Sequence, residues 1–383
     1  MPSALPSRLL ALWVLLAVLG VPLQSWSQPA MVLGRQNSTF TVDGVPTFLV
    51  FISYFGALRP TGVDPDPNST ASNSITNLWA PHKTSLATEF AHLHAKGVNG
   101  IRIFPNWWWS LGSGCTATVA DQHAVIRRDG SINLAAGLRM LEVIELARRH
   151  QLVVDVSWTI EGAAPVVATA LSKSAYASAL HTITTFMAGG YRNALFDLEN
   201  EYNNGPICPG YPTVKPSFSR ADLVSAVRHI KSADPARIMT ASPTVFTGNS
   251  CGIGVQQTID DVASYVDDAH AAGMDVFAVH DQRCYSPTWY GQTQAFVQKV
   301  REITSLPVYL QEPDRWVSDS PLTSSDFLTA VQGAVNGGAA AWTFHTEATF
   351  KLNAQGWQPL LNQPVEFDFL DQKLPLLNRS SWP

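Results

Sequence analysis

The chain has 383 residues, a length that allows two or three domains but that a single α/β barrel can also reach. It carries 25 Lys+Arg against 30 Asp+Glu, a net charge of −5, which argues against a nucleic-acid-binding protein. Only 14% of the residues are charged, 46% are hydrophobic and 12 are Trp. This composition excludes a disordered chain or a coiled coil, and it favours a globular core with additional aromatic faces.

The N-terminal segment has the pattern of a secretory signal peptide. Arg8 precedes an apolar run from Leu9 to Leu23, and small residues, Ser25 and Ser27, precede a cleavage site after residue 27. The apolar run is shorter than the roughly 20 residues of a membrane-spanning helix. We therefore expect a secreted protein, extracellular or periplasmic, whose residues 28–383 form one domain.

Export also bears on the oxidation state of the four cysteines, which are Cys115, Cys208, Cys251 and Cys284. An even number of cysteines in an oxidising compartment favours two disulfides, and the sequence leaves the three possible pairings open. No Cys-x-x-Cys spacing points to a metal site.

The rest of the chain alternates between strand-like and helix-like segments. Residues 39–48 first predict a hairpin with an Asp-Gly turn. Short β-branched or aromatic runs then predict strands at 48–55, 100–106, 152–159, 194–200, 237–242, 275–280, 307–311 and 339–344. Amphipathic stretches predict helices at 83–96, 134–150, 172–188, 219–233, 259–272, 288–304 and 324–336, with a long loop at 57–82.

Strands joined by helices in this way indicate a parallel sheet covered on both faces. Eight such units predict an α/β fold, the (β/α)8 TIM barrel, with the N-terminal hairpin closing one end. A doubly wound open sheet is the alternative, because strand order cannot be read from the sequence. That fold needs a glycine-rich phosphate-binding turn after the first strand, which residues 52–56 do not provide.

In a (β/α)8 barrel the functional groups gather where the strands end. The predicted ends are polar and aromatic, in contrast to strand interiors that read as aliphatic: Tyr54, Arg102, Asn106, Trp158, Glu161, Asn200, Glu201, Ser242, His280, Glu312 and Trp342. Glu201 closes the fourth strand and Glu312 the seventh, across the barrel mouth from each other. Retaining glycoside hydrolysis needs such a pair, one carboxyl kept protonated as an acid and one ionised as a nucleophile.

Asn200-Glu201 after the fourth strand, with Glu312 after the seventh, resembles the clan A retaining glycoside hydrolases, which include glycoside hydrolase family 5. Residues 40–44, Phe-Thr-Val-Asp-Gly, and a following strand that ends in Tyr54-Phe55 are also similar to the start of many members. The resemblance covers roughly residues 39–346. It implies that Glu201 is the acid/base and Glu312 the nucleophile.

The resemblance implies further roles. Asn200 would hydrogen-bond the 2-hydroxyl of the substrate. Arg102 would lie beneath the nucleophile and keep it ionised, since an adjacent cation lowers the pKa of a carboxylate. His280 would support the nucleophile, and Trp342 would form the floor of the sugar subsite. The residues after the nucleophile, Pro313-Asp314, match no particular subfamily and leave the sugar undefined.

Other aromatic side chains near the strand ends are predicted substrate contacts, because a ring face suits the C–H face of a sugar: Tyr54, Trp107, Trp158 and Trp316. The string Trp107-Trp108-Trp109 has packing within its own loop as the alternative. Three more glutamates compete for roles. Glu199 reads as a barrel-interior group that pairs with Arg102, and Glu161 and Glu347 are alternative acids or nucleophiles.

Together these patterns predict a secreted, monomeric glycoside hydrolase that cleaves β-linked glycans with retention and needs no cofactor. His92 and His94 are two apart on a predicted helix and share no face, so no metal site is expected there. A transglycosylase with the same covalent intermediate is one alternative. A carbohydrate-binding barrel without catalysis is the other, although both glutamates, Arg102 and Asn200 are present.

Overall fold

The computed structural model describes residues 31–58, 60, 70–106, 124–127, 129–159, 172–203, 218–245, 255–280, 292–313, 323–345 and 368–377, with 255–261 and 371 described by their backbone alone. Several predicted features lie outside these residues: the signal peptide at 1–27, the four cysteines, Trp107, Trp316, Glu161 and Glu347. They stay predictions.

A three-stranded antiparallel sheet opens the described chain. It consists of β1 (Leu33–Gln36), β2 (Thr39–Val42) and β3 (Val45–Pro46). Asp43 and Gly44 both have positive φ, 54° and 81°, which is the two-residue turn that matches the twist of paired strands. The predicted hairpin is confirmed, and β1 is an additional strand that the sequence did not reveal.

Eight parallel strands form the main sheet. They are β4 (Leu49–Ser53), β5 (Gly100–Ile103), β6 (Val153–Ser157), β7 (Ala194–Asn200), β8 (Ile238–Ser242), β9 (Phe277–Val279), β10 (Val308–Leu310) and β11 (Ala341–Phe344). Each lies within its predicted range, and the order is β8-β7-β6-β5-β4-β11-β10-β9. A parallel bridge between Thr244 and His280 joins the two edges, so the sheet closes as the predicted (β/α)8 barrel.

Helices follow the strands on the outside of the barrel. The described ones are α1 (Ile75–Ala95), α2 (Leu134–Arg149), α3 (Lys173–Met187), α4 (Arg220–Ala233), α5 (Val255–Ala272), α6 (Thr293–Ile303) and α7 (Ser324–Gly337), followed by a π-helical turn (Asp368–Lys373) and a 3-10 turn (Leu374–Leu376). None of the described helices combines the length and apolar character needed to cross a membrane.

Helix α1 begins eight residues before its predicted start, so the predicted loop at 57–82 is wrong from residue 75 onward. Pro81 lies inside this helix, and proline removes one backbone hydrogen bond. The helix nevertheless continues through it. The Ser74 side chain accepts a hydrogen bond from the N–H of Asn77 at 3.3 Å, and Ile75 and Leu86 are buried on the core side.

The N-terminal end of the barrel is closed by the small sheet. Leu33 and Phe40 belong to a buried cluster with Leu49, Phe51 and Tyr309 from the barrel strands. The ring of Phe40 meets that of Tyr309 edge to face at 6.5 Å. This arrangement confirms the predicted closure and leaves the opposite end, where the strands terminate, for the polar side chains.

Candidate active site

The structure brings the two predicted glutamates together. Glu201 follows β7 directly, Glu312 lies two residues beyond β10, and their exposed fractions are 9% and 2%. One carboxylate oxygen of each and one ring nitrogen of His280 all lie within 4.8 Å of one another. The two carboxyl groups can therefore act on the same bound atom.

An irregularity in β7 affects the direction of the side chains at its end, next to Glu201. Asp197 pairs with Thr240, but Asn200 pairs with Ser242, so β7 contains one extra residue at this point. Such a bulge shifts the inward and outward alternation of a strand. Glu201 then adopts a φ of 54°, a conformation that costs a non-glycine residue about 1–3 kcal/mol and is common at functional sites.

Arg102 lies beneath the nucleophile candidate, as the resemblance implies. Its side chain is fully buried. Nη1 donates to Oε1 of Glu312, and Nη2 donates to Oδ1 of Asn200. A guanidinium in contact with a carboxylate favours the ionised form of that carboxylate. Because the Asn200 oxygen faces Arg102, the donor end of that amide is directed away from it.

A polar layer lies below Arg102 inside the barrel, so the prediction of aliphatic strand interiors is wrong for this layer. Nε of Arg102 donates to Oγ of Ser157 at 2.7 Å, and the guanidinium is 3.6 Å from both Asp155 and Asp197. Gln311 donates from Nε2 to the same two aspartates, at 2.7 and 3.0 Å. Outward-facing residues of these strands supply the apolar pattern that the sequence displays.

Burial raises the pKa of Asp155 to about 6, although Arg102 opposes the rise and Asp197 adds to it. The native state therefore binds this proton more tightly than the unfolded chain, in which an aspartate has a pKa of about 3.9. The stability that Asp155 contributes is fully present below about pH 4 and is lost as the pH rises through about 6.

Asp155→Asn should remove this dependence. We expect the free energy of unfolding of the variant, relative to the wild type, to rise by about 2 kcal/mol between pH 4 and pH 7. Urea unfolding of both proteins across that range measures the difference. A difference that stays constant with pH would contradict the tight proton binding at Asp155.

His280 lies between the two glutamates. Its Nδ1 is 3.1 Å from Oε1 of Glu201 and 3.6 Å from Oε2 of Glu312, and its Nε2 is 2.9 Å from Oε1 of Gln311. The resemblance implies support for the nucleophile, and the geometry places the ring closer to Glu201 than to Glu312. His280 therefore contacts both carboxylates of the pair.

His345 is a site residue that sequence reasoning missed. It follows β11, its Nε2 is 3.4 Å from Oε2 of Glu312, and its Nδ1 is 2.7 Å from Oγ of Ser53. The signal was available, because Ala341, Thr343 and His345 alternate along one strand face. Glu312 thus has Arg102 near Oε1 and histidines near Oε2.

Three predicted substrate contacts do not lie at the site. Trp342 is fully buried against Phe369, with ring centroids 5.8 Å apart, and Trp158 is fully buried against Phe196 at 5.6 Å. Tyr54 bonds Glu89 of helix α1. Alternate residues of a strand face opposite sides, so these rings point to the helices while their neighbours point into the barrel. Their predicted role as sugar contacts is wrong.

Two phenylalanines stand where those aromatics were expected. Phe55 and Phe104 stack with centroids 4.3 Å apart and planes 4° apart. The Cζ of Arg102 lies 4.6 Å from the Phe104 ring, and the Phe55 ring is 5.9 Å from His345. These rings therefore lie next to two of the side chains that contact Glu312. Phe55 could have been identified by assuming that it, and not its neighbour Tyr54, points into the barrel mouth.

The remaining predicted residues have local partners. Glu199 is fully buried and accepts a hydrogen bond from Oγ1 of Thr159 at 3.1 Å, whereas the described ion pairs of Arg102 go to Asp155, Asp197 and Glu312. Asn106 accepts from the backbone N–H of Ile126 at 3.0 Å. Ser242 donates to Asp197 at 2.8 Å. Among the described residues, the ion pairs of Arg102 therefore do not include the predicted one with Glu199.

The same site offers metal-ligand chemistry, since Glu201, His280 and Glu312 carry oxygen and nitrogen donors within 4.8 Å. However, Arg102 already places a positive charge on Glu312, and a second cation there would be repelled. The arrangement is better suited to proton transfer and carboxylate chemistry than to holding an ion.

No protein-family model and no curated protein sequence matches this chain. Solved structures do match its fold. One is a glycoside hydrolase, with a TM-score of 0.55 and 13% identity over 90% of this chain and 74% of that one. Another is a glycoside hydrolase family 5 protein from Bacteroides vulgatus ATCC 8482, with a TM-score of 0.50 and 12% identity over 86% and 64%.

A third is an exo-β-1,4-mannosidase from Opitutaceae bacterium strain TAV5, with a TM-score of 0.51 and 14% identity over 79% of this chain and 52% of that one. At such identities the similarity concerns the fold. The chain is a (β/α)8 barrel of the kind seen in glycoside hydrolase structures, as the sequence resemblance predicts.

Proposed function

We propose that this protein is a retaining glycoside hydrolase that cleaves β-linked glycans by double displacement. The observation that carries the proposal is the pair of buried glutamates at the ends of β7 and β10, with carboxylate oxygens within 4.8 Å of each other. Retaining enzymes hold their carboxyl groups about 5–5.5 Å apart, whereas inverting enzymes leave about 6.5–9.5 Å for a water molecule. The close approach supports retention.

Glu312 serves as the nucleophile. The hydrogen bond from Arg102 to Oε1 favours its ionised form, and the neighbouring His280 and His345 orient Oε2. In the first step, this carboxylate attacks the anomeric carbon, the glycosidic bond breaks, and a covalent glycosyl-enzyme forms.

Glu201 serves as the acid/base. It is the more exposed of the two glutamates, and His280 contacts its Oε1. In the first step Glu201 gives its proton to the departing glycosidic oxygen. In the second, its carboxylate takes a proton from the water that attacks the anomeric carbon, and Glu312 is released. The amide of Asn200, oriented by Arg102, is placed to donate to the 2-hydroxyl of the sugar.

The stereochemistry of the product tests this proposal. A screen against aryl β-glycosides, β-glucans, xylans and β-mannans should identify a substrate, and the mannosidase with a similar fold is the reason to include mannosides. We expect the β-anomer to appear first in proton NMR spectra of the reaction, because two inversions restore the configuration. Initial formation of the α-anomer would contradict the retaining mechanism.

We also propose that the protein is secreted after cleavage at residue 27. Support comes from the charged and apolar pattern of residues 8–27. N-terminal sequencing of protein recovered from the medium or periplasm tests this, and an intact N-terminus on intracellular protein would contradict it.

A further inference from the structure

Gln311 immediately precedes the nucleophile candidate and is fully buried. Its Nε2 donates to Oδ2 of Asp155 at 2.7 Å and to Oδ2 of Asp197 at 3.0 Å. Above pH 6 the carboxylate of Asp155 is ionised and can only accept hydrogen bonds, so the amino end of the amide must face the aspartates. The carbonyl end then faces the other way, with Oε1 at 2.9 Å from Nε2 of His280.

This orientation fixes a proton on His280. A carbonyl oxygen accepts hydrogen bonds and cannot donate them, so Nε2 of His280 must carry a hydrogen and donate it to Gln311. In the neutral ring the other nitrogen, Nδ1, then holds a lone pair. That nitrogen is 3.1 Å from Oε1 of Glu201 and 3.6 Å from Oε2 of Glu312.

We propose that Gln311 is a positioning residue that holds neutral His280 with its proton on Nε2, so that Nδ1 accepts a hydrogen bond from the protonated carboxyl of Glu201. The consequence for catalysis rests on the proposed function. With the proton on Nδ1 instead, His280 would donate to Glu201 and stabilise its carboxylate, so that less of Glu201 would carry the proton that acid catalysis needs. Gln311 thereby links Asp155 and Asp197 through His280 to the acid/base.

The first test reads the protonated ring nitrogen directly. Two-bond proton–nitrogen correlation spectra of protein with isotope-labelled histidine distinguish the two neutral forms, and a His280→Asn variant identifies the signals of His280. We expect wild-type His280 to carry its hydrogen on Nε2 at a pH where the ring is neutral. A hydrogen on Nδ1 overturns the proposal, whether or not the protein is a glycosidase.

Gln311→Met keeps the side-chain length and removes the carbonyl acceptor. We expect this variant to shift His280 toward the form protonated on Nδ1, because oxygens of Glu201 and Glu312 lie near Nδ1 and can accept its hydrogen bond. Tyr309→Phe is the matched control, because it also removes a hydrogen bond to Asp155, at 3.0 Å, in the same buried layer. In the control, His280 should keep its hydrogen on Nε2. If His280 also keeps its hydrogen on Nε2 in Gln311→Met, the proposal is overturned. The wild-type spectrum remains decisive if Gln311→Met does not fold.

The kinetic readout separates acid catalysis from binding. In Gln311→Met we expect kcat for substrates with poor leaving groups to fall about 10-fold more than kcat for activated aryl glycosides, since only the former depend strongly on a proton donor. KM should change little. Equal losses for both kinds of substrate would overturn the role of Gln311 in acid catalysis, whereas a protein with no glycosidase activity would fail the proposed function and leave the spectroscopic result intact.

Discussion

Glu312→Gln should lower kcat by about 10⁴-fold or more, because an amide cannot replace the carboxylate as a nucleophile. KM should stay near the wild-type value, since the side chain keeps its size and place. Stability should also persist. Removing one partner of a buried ion pair usually costs stability, but Arg102 retains Asp155 and Asp197 at 3.6 Å. Activity assays and thermal unfolding of the purified variant measure both effects.

Glu199→Gln is the matched control for this experiment. It removes a carboxylate that is also buried and that lies two residues before Glu201 in the chain. This variant should keep kcat within a few fold of the wild type. Full activity in Glu312→Gln, or an equal loss in Glu199→Gln, would contradict the assignment of the nucleophile.

Glu201→Gln should have an effect that depends on the substrate. For glycosides with poor leaving groups, we expect kcat/KM to fall by about 10²–10⁴-fold, because the departing oxygen receives no proton. The leaving groups of activated aryl glycosides depart as stable anions without a proton, so the rate of the first step should fall much less for these substrates. We expect the wild type to lose kcat/KM at high pH, where a general acid gives up its proton, and we expect this decline to be absent from the variant.

A series of aryl glycosides with different leaving groups measures this dependence. The wild type provides the internal reference, and each substrate is compared in both proteins at several pH values. A loss that is equal for good and poor leaving groups would contradict the role of Glu201 as an acid. A loss confined to KM would assign it to substrate binding.

Much of the fold could be predicted from local pattern. Each of the eight barrel strands lies within its predicted range, because β-branched and apolar runs between helical stretches are local signals. The start of α1 was missed, because the N-cap Ser74 and the first turns of the helix lie in a stretch rich in Pro, Asn, Ser and Thr, a composition that predicts a loop. The alternation of strands and helices also predicted that the carboxyl ends of the strands meet at the barrel mouth.

Side-chain direction was harder to predict. Arg102, Glu201 and Glu312 were identified because polar residues are conspicuous at the ends of apolar strands. Trp158 and Trp342 were assigned to the wrong face, because a shift of one residue along a strand reverses the side on which a side chain lies. The bulge in β7 adds such a shift, and no local pattern announces it.

The sequence by itself therefore determined the barrel, the strand ends and the two glutamates, because periodicity and residue type are local properties of the chain. Only the tertiary structure decided what surrounds them. The contacts that decide it join residues far apart in the sequence: His345 with Glu312, Phe55 with His345, and Gln311 with His280. Hydrogen bonds and burial at the centre of a closed barrel depend on the register of all eight strands, and that register is set by packing rather than by any one segment.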